Sequence, residues 1–252
     1  MLRNYHLILF ALIVFVVLFG VTTFSIALIL IIVLCLTLIL IAIGVFNIQL
    51  SIFSQNISRI KTNNKVVFLT FDDGPDAEST NRVLDTLGEY CVKGTFFCVG
   101  NRVVENNEVV QRINREGHLI GSHTMNHSWK YAFTSVNDIT FEIEMGKKTI
   151  EQIIGKKVIF FRPPWGVTNP AIAKVVENLG LISVGWSIRS LDTTIHDDNK
   201  VLNRILSQLK PGGIILLHDR LNSTSKLLPE IIKGIREKGY VIEPLNNYLL
   251  KD

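Results

Sequence analysis

Residues 1–58 contain no Asp or Glu and a single basic residue, Arg3. All of the acids, and every other Lys and Arg, lie from Arg59 onward. The chain therefore divides into an apolar leader, 1–58, and a polar part, 59–252, of about 190 residues, ample for one domain with its own core. Cysteine is also scarce. There are three, an odd number, and no pair has metal-ligand spacing, which argues against a disulfide framework or a Cys-based zinc site. Cys35 falls in the apolar run, and Cys91 and Cys98 sit among apolar neighbours that predict buried free thiols. A concentration of basic charge is missing as well: the formal net charge is only +4, with acids and bases interleaved, so nucleic acid is not a predicted partner. Nothing in the composition specifies an oligomeric state.

What the leader does have is apolar length. No charged side chain occurs between Leu7 and Phe46. As one helix this run would extend roughly 60 Å, about twice the hydrocarbon core of a bilayer. Two spans fit that length better, near 5–21 and 25–46, with a break at Gly20-Val21-Thr22-Thr23-Phe24-Ser25. A cleaved signal peptide would have a shorter apolar region and a small-residue cleavage site. Membrane lipid is thus a predicted partner of the leader. Arg3, Arg59, Lys61 and Lys65 favour a cytoplasmic domain by the positive-inside tendency, whereas the chemistry below favours an extracytoplasmic one.

From Lys65 onward, short β-branched runs alternate with stretches of helical period. Strands are predicted at 66–71, 95–99, 119–122, 158–161, 182–186, 214–217 and 240–242, and helices near 78–90, 102–115, 135–154, 170–179, 198–209 and 225–238. Ser135 can cap one helix, Pro170 can open another, and Pro211-Gly212-Gly213 stops a third. Such alternation implies a parallel sheet with helices outside, either a barrel or an open doubly wound sheet. Asp72-Asp73, His123, Arg162, Asp192 and His218 each follow a predicted strand, where α/β folds gather their sites.

Asp72 and Asp73 are neighbours, so in an extended strand end their side chains point apart and divide their labour, one on a metal and one free to take a proton. His123 and His127, spaced i, i+4, would share one side of a helical turn, an arrangement suited to Zn²⁺ or a related ion. Two imidazoles and one carboxylate leave positions open for water and substrate, the mark of a catalytic metal site. Amide hydrolysis also needs a base and an acid. His218 closes the most apolar strand, where a buried carboxylate partner would hold it protonated. Arg162, in a stiff Arg-Pro-Pro-Trp-Gly loop, can orient a carboxylate. His118 and His196 read as structural or surface histidines.

Taken together, Thr70-Phe71-Asp72-Asp73-Gly74-Pro75, His123-Thr124-Met125-Asn126-His127, Arg162-Pro163-Pro164-Trp165-Gly166 and Leu216-Leu217-His218-Asp219 resemble, in order, the motifs of the polysaccharide deacetylases of carbohydrate esterase family 4, which share the NodB homology domain. The resemblance covers roughly 65–245. It implies a distorted (β/α) barrel of about seven parallel strands and one divalent metal ion, Zn²⁺ first, with Co²⁺ or Ni²⁺ as alternatives. It further implies Asp73, His123 and His127 as ligands, Asp72 as general base held by Arg162, and His218 as general acid paired with Asp192. Pro164, Trp165 and Leu216 would contact substrate, Leu216 against the acetyl methyl, with a backbone N–H near Trp165 assisting at the oxyanion.

The remaining family motif, Asp-x-x-Asp-Trp, is here Arg189-Ser190-Leu191-Asp192-Thr193, in which Arg189 either stands at the surface or in a salt bridge or brings a positive charge toward the substrate groove. The implied activity is removal of N-acetyl groups from N-acetylglucosamine units of a cell-wall or related glycan. Three readings compete. A deacetylase or deformylase of a lipid-linked sugar would suit a cytoplasmic domain. A silent glycan-binding module would be marked by loss of the base or acid, and Asp72 and His218 are both present. A non-haem iron oxygenase would present its ligands as His-x-Asp/Glu on an antiparallel barrel.

Overall fold

The computed structural model describes residues 5–249, which fall into two compact units meeting at Ile43 and Gly44. In the first, one unbroken helix, α1 (Tyr5–Phe46), runs through the expected break at Gly20–Ser25. The polar side chains there do not open the helix. Thr22, Thr23 and Ser25 return their hydroxyls to carbonyls three or four residues earlier, and no proline is present to remove a bond. Residues 9–46 are long and apolar enough to cross a membrane.

The second unit starts earlier than the change in charge at Arg59 predicts. Ile48 is buried, and the two-residue strand β1 (Asn56–Ile57) pairs with the sheet. Then follow β2 (Val66–Asp72), α2 (Ser79–Glu89), β3 (Thr95–Cys98), α3 (Gly100–Glu105), α4 (Asn107–Arg115) and β4 (Leu119–Ser122). The second half holds α5 (Val136–Ile154), β5 (Phe160–Phe161), α6 (Pro170–Asn178), β6 (Ile182–Val184), β7 (Ile188–Arg189), α7 (Asp198–Ser207), β8 (Gly213–His218), α8 (Asn222–Glu237), β9 (Val241–Ile242) and α9 (Asn246–Leu249). All seven predicted strands form. β1 and β7, two residues each, were not predicted, and the helix expected at 102–115 is split between α3 and α4.

Every pairing between these strands is parallel, in the order β1-β6-β5-β4-β3-β2-β8-β7, with β9 beside β2. The sheet curls into a half-barrel, as the family resemblance implies. β2 is buried at all seven positions because helices cover one face and the curl encloses the other. Its residues alternate accordingly: Val67, Leu69 and Phe71 pack on α2 and α8, while Val66 and Phe68 join Phe97, Phe160, Val184, Ile214 and Leu216 inside. Thr70 and Asp72 share this inner parity, which points Asp72 into the mouth of the curl.

Candidate active site

Arg162 is the largest fully buried side chain and sits at the centre of the curl, after β5. Its guanidinium donates to Asp72 Oδ1 at 2.7 Å, Thr70 Oγ1 at 2.8 Å, Gly185 O at 2.7 Å and Val184 O at 3.0 Å. Its Cζ lies 4.1 Å from the Phe97 ring centroid. A buried cation tolerates this place because its donors are met and Asp72 balances its charge. Asp72 thus leaves Oδ2 facing the cleft, a cavity of about 720 Å³ at the carboxyl ends of the strands.

Asp72 and Asp73 do not diverge as an extended strand end predicts. Asp73 adopts the left-handed conformation, φ 71°, and both carboxylates line the same cleft. Asp73 Oδ1 lies 3.5 Å from His123 Nε2 and 3.2 Å from His127 Nε2. These two separations match the edge of a tetrahedral site with bonds of about 2.0–2.1 Å. His123 Nδ1 donates to Arg162 O at 2.7 Å, which leaves Nε2 as the lone-pair nitrogen. The donor set and its spacing therefore fit one divalent cation.

The two histidines are not on a helical turn. Residues 123–127 form a loop with Thr124 at φ 66° and His127 at φ 50°, and these left-handed residues fold the chain back so that both rings meet Asp73. Thr124 Oγ1 accepts from the His127 N–H, and the buried Glu142 of α5 accepts from Asn126 N–H at 2.9 Å and Nδ2 at 2.5 Å. Burial, then the neighbouring His123 imidazole, lowers the His127 pKa to about 4, which keeps its ring neutral. Burial opposes ionisation of Asp73, but the surrounding imidazoles of His123, His127 and His218 hold its carboxyl well below the usual carboxylate range.

Across the cleft, His218 Nδ1 donates to Asp192 Oδ1 at 2.7 Å. Asp192 also accepts from His218 N–H at 2.9 Å, Thr224 Oγ1 at 2.8 Å and Ser190 Oγ at 2.8 Å. Burial alone would lower the His218 pKa. The Asp192 hydrogen bond and charge, with Asp72 and Asp73 nearby, reverse this and raise it. Trp165, at φ 56°, stands 4.4 Å from the His127 ring, and Leu216 and Trp186 complete the wall. Pro164 is buried beneath Trp165 rather than lining the cleft.

Two contributors, Arg220 and Asp219, have no role assigned by the sequence. Arg220 donates from Nε to Asp73 Oδ2 at 3.1 Å. Asp219 lies buried against Gly74, so close that any side chain at 74 would collide with its carboxylate. Burial raises the Asp219 pKa to about 7. Of the residues set aside, His118 is a core histidine whose Nδ1 accepts from Gly94 N–H, and His196 is exposed. All three cysteines are free, but Cys91 is exposed in a left-handed turn, contrary to the burial its neighbours predict.

The family model described as Polysaccharide deacetylase matches residues 59–184. A peptidoglycan-N-acetylglucosamine deacetylase of Bacillus cereus is 37% identical over 187 residues, covering 72% of this chain and 86% of that protein. The chain belongs to the polysaccharide deacetylase family. It is a glycan N-deacetylase, a hydrolase of linear amides. The solved structure of the Bc1960 peptidoglycan N-acetylglucosamine deacetylase superposes with a TM-score of 0.73 at 30% identity, covering 77% of this chain and 92% of that one. The fold also extends to BA3943, a CE4 family pseudoenzyme from Bacillus anthracis, with a TM-score of 0.73 at 27% identity, covering 77% of this chain and 69% of that one.

Proposed function

We propose that this family member is a membrane-anchored, metal-dependent enzyme that removes acetyl groups from N-acetylglucosamine units of peptidoglycan on the outer side of the membrane. One observation carries the reading. Asp73, His123 and His127 converge at cation spacing, with the Asp72–Arg162 and His218–Asp192 pairs in the same cleft. A divalent cation bound there, Zn²⁺ first, would supply a Lewis acid for the acetyl carbonyl and for water.

The chain's own groups do the rest. Asp72, fixed by Arg162, takes the proton of the attacking water through its free Oδ2. His218, kept protonated by Asp192, donates a proton to the amine nitrogen as the amide bond breaks, giving acetate and a glycan amine. A backbone N–H beside Trp165 supports the oxyanion, Leu216 meets the acetyl methyl, and the ring of Trp165 flanks the sugar. The names of the relatives support peptidoglycan as substrate, and the retained base and acid separate this chain from a silent homologue. The long apolar helix supports anchoring.

The basic residues Arg59, Lys61 and Lys65 favour a second reading, a deacylase of a lipid-linked sugar at the cytoplasmic face. Acetate release from peptidoglycan by the detergent-solubilised chain should vanish with a chelator and return with Zn²⁺ or Co²⁺. Metal-independent release would refute the mechanism. Protease accessibility of the globular unit on intact cells decides the side, and protection there would favour the second reading.

A further inference from the structure

The cleft carries more positive charge than its chemistry uses. Arg102, Arg189 and Arg220 line it together with Asp72, Asp73 and Glu105. Two of these acids already have counter-charges: Asp72 pairs with the buried Arg162 at 2.7 Å, and Asp73 Oδ2 pairs with Arg220 at 3.1 Å. Arg102 stands near an acid, since its charge acts on Asp76. Arg189 is different. Among the described residues its guanidinium makes no ion pair and no hydrogen bond, and its contact is with the Trp186 ring, 5.9 Å from the centroid.

The fold places this free cation on the wall of the cleft. Arg189 ends β7 and pairs in register with Leu216, two residues before His218. Its own strand leads directly to Ser190, whose hydroxyl donates to Asp192, and to Asp192, which holds His218. Arg189, Trp186, Leu216 and His218 therefore share one wall of the cleft. A neutral glycan gives an exposed guanidinium little that water does not already give. A carboxylate or phosphate oxygen pair matches its fork and forms the stronger, charge-assisted kind of bond.

We propose that Arg189 is a specificity residue that binds an anionic group, a carboxylate or a phosphate, carried by the glycan being deacetylated. This rests on the deacetylase reading above, and the test separates the two. Acetate release by the full chain in detergent micelles, loaded with Zn²⁺, is compared on three substrates of equal length: neutral N-acetylglucosamine oligomers, oligomers alternating with a lactyl-carboxylate sugar, and oligomers ending in a 1-phosphate. At low salt kcat/KM for an anionic substrate should exceed that for the neutral one by roughly tenfold, as expected for one good charged contact, and the advantage should shrink in 0.5 M salt.

Arg189→Gln should bring that ratio close to one through KM, and Arg189→Lys should restore part of it. A preference on the carboxylate arm alone or on the phosphate arm alone identifies the source of the anion. Isothermal titration of the same glycans into chelator-treated protein gives the same ratio without turnover. If no acetate is released from any substrate, the deacetylase reading fails, and the titration ratio still decides Arg189. No anionic preference in the wild type, or a preference unchanged in Arg189→Gln, overturns the proposal.

Discussion

Ile48→Ala tests whether the segment after the apolar helix belongs to the fold or merely tethers it. Ile48 is 2% exposed and packs with Val184 and Trp186. Two glycines make room for it: an added Cβ at Gly166 or Gly185 would lie 3.3 Å from its side-chain carbons. A slot walled by backbone collapses poorly, so truncation should leave a cavity and cost about 3 kcal/mol, inside the ~2–5 kcal/mol range for buried Ile→Ala. For a unit of this size that lowers Tm by roughly 6–12 °C. Tryptophan fluorescence is the right assay, because Trp129, Trp165 and Trp186 all lie in the globular unit. Ile52→Ala, at a residue 53% exposed, is the control and should shift Tm by about 1–2 °C at most. If Ile48→Ala melts with the control, residues 44–58 are a linker and the reasoning fails. A loss of activity below Tm is also expected, since Gly185 O holds Arg162 and Gly166 follows Trp165.

Asp192→Asn should move the alkaline limb of the pH–rate profile to lower pH. Asp192 raises the His218 pKa, the acid works only below that pKa, and removing the carboxylate lowers it; an unmoved limb in kcat/KM would exclude His218 as the acid. Asp72→Asn should reduce acetate release by about 10²–10⁴-fold while elemental analysis still finds bound metal, because the proposed ligands are Asp73, His123 and His127. Arg162→Met leaves Asp72, 3% exposed, without its counter-charge and should destabilise the globular unit by about 3–5 kcal/mol in denaturant titration, far more than Arg220→Met at the rim.

The long elements were legible because their periods are long enough to read. β2 and β8 open on unbroken apolar stretches, 66–69 and 213–217, and α5 keeps Ile139, Ile143, Gly146 and Ile150 on one face behind a Ser135 cap. β1 and β7 each hold a single Ile between polar neighbours, so no apolar run marks them, and their pairing is decided by the neighbours β6 and β8. The change in charge at Arg59 marked where solvent-facing residues begin, not where packing begins, so Ile48 was assigned to the leader. The site residues were legible as chemistry but not as conformation. A spacing of i, i+4 fits a helix and also fits a loop, and only the left-handed Thr124 and His127, braced through Asn126 by Glu142, distinguish them. Arg220 gave no signal, since an arginine after a strand is common on any surface, whereas Arg189 stood out by occupying a position where the family motif has an acid.

Among the described residues, seven non-glycine positions have positive φ, and four of them, Asp73, Thr124, His127 and Trp165, line the cleft or adjoin a residue that does. Each such conformation costs on the order of 1 kcal/mol and persists because the surroundings impose it. The mouth of the half-barrel is therefore where this chain is furthest from its own local preferences. Selection for heat resistance alone would relax these positions first, exchanging them for glycine or asparagine, and the molecule would become more durable as it lost the geometry that brings two carboxylates and two imidazoles together.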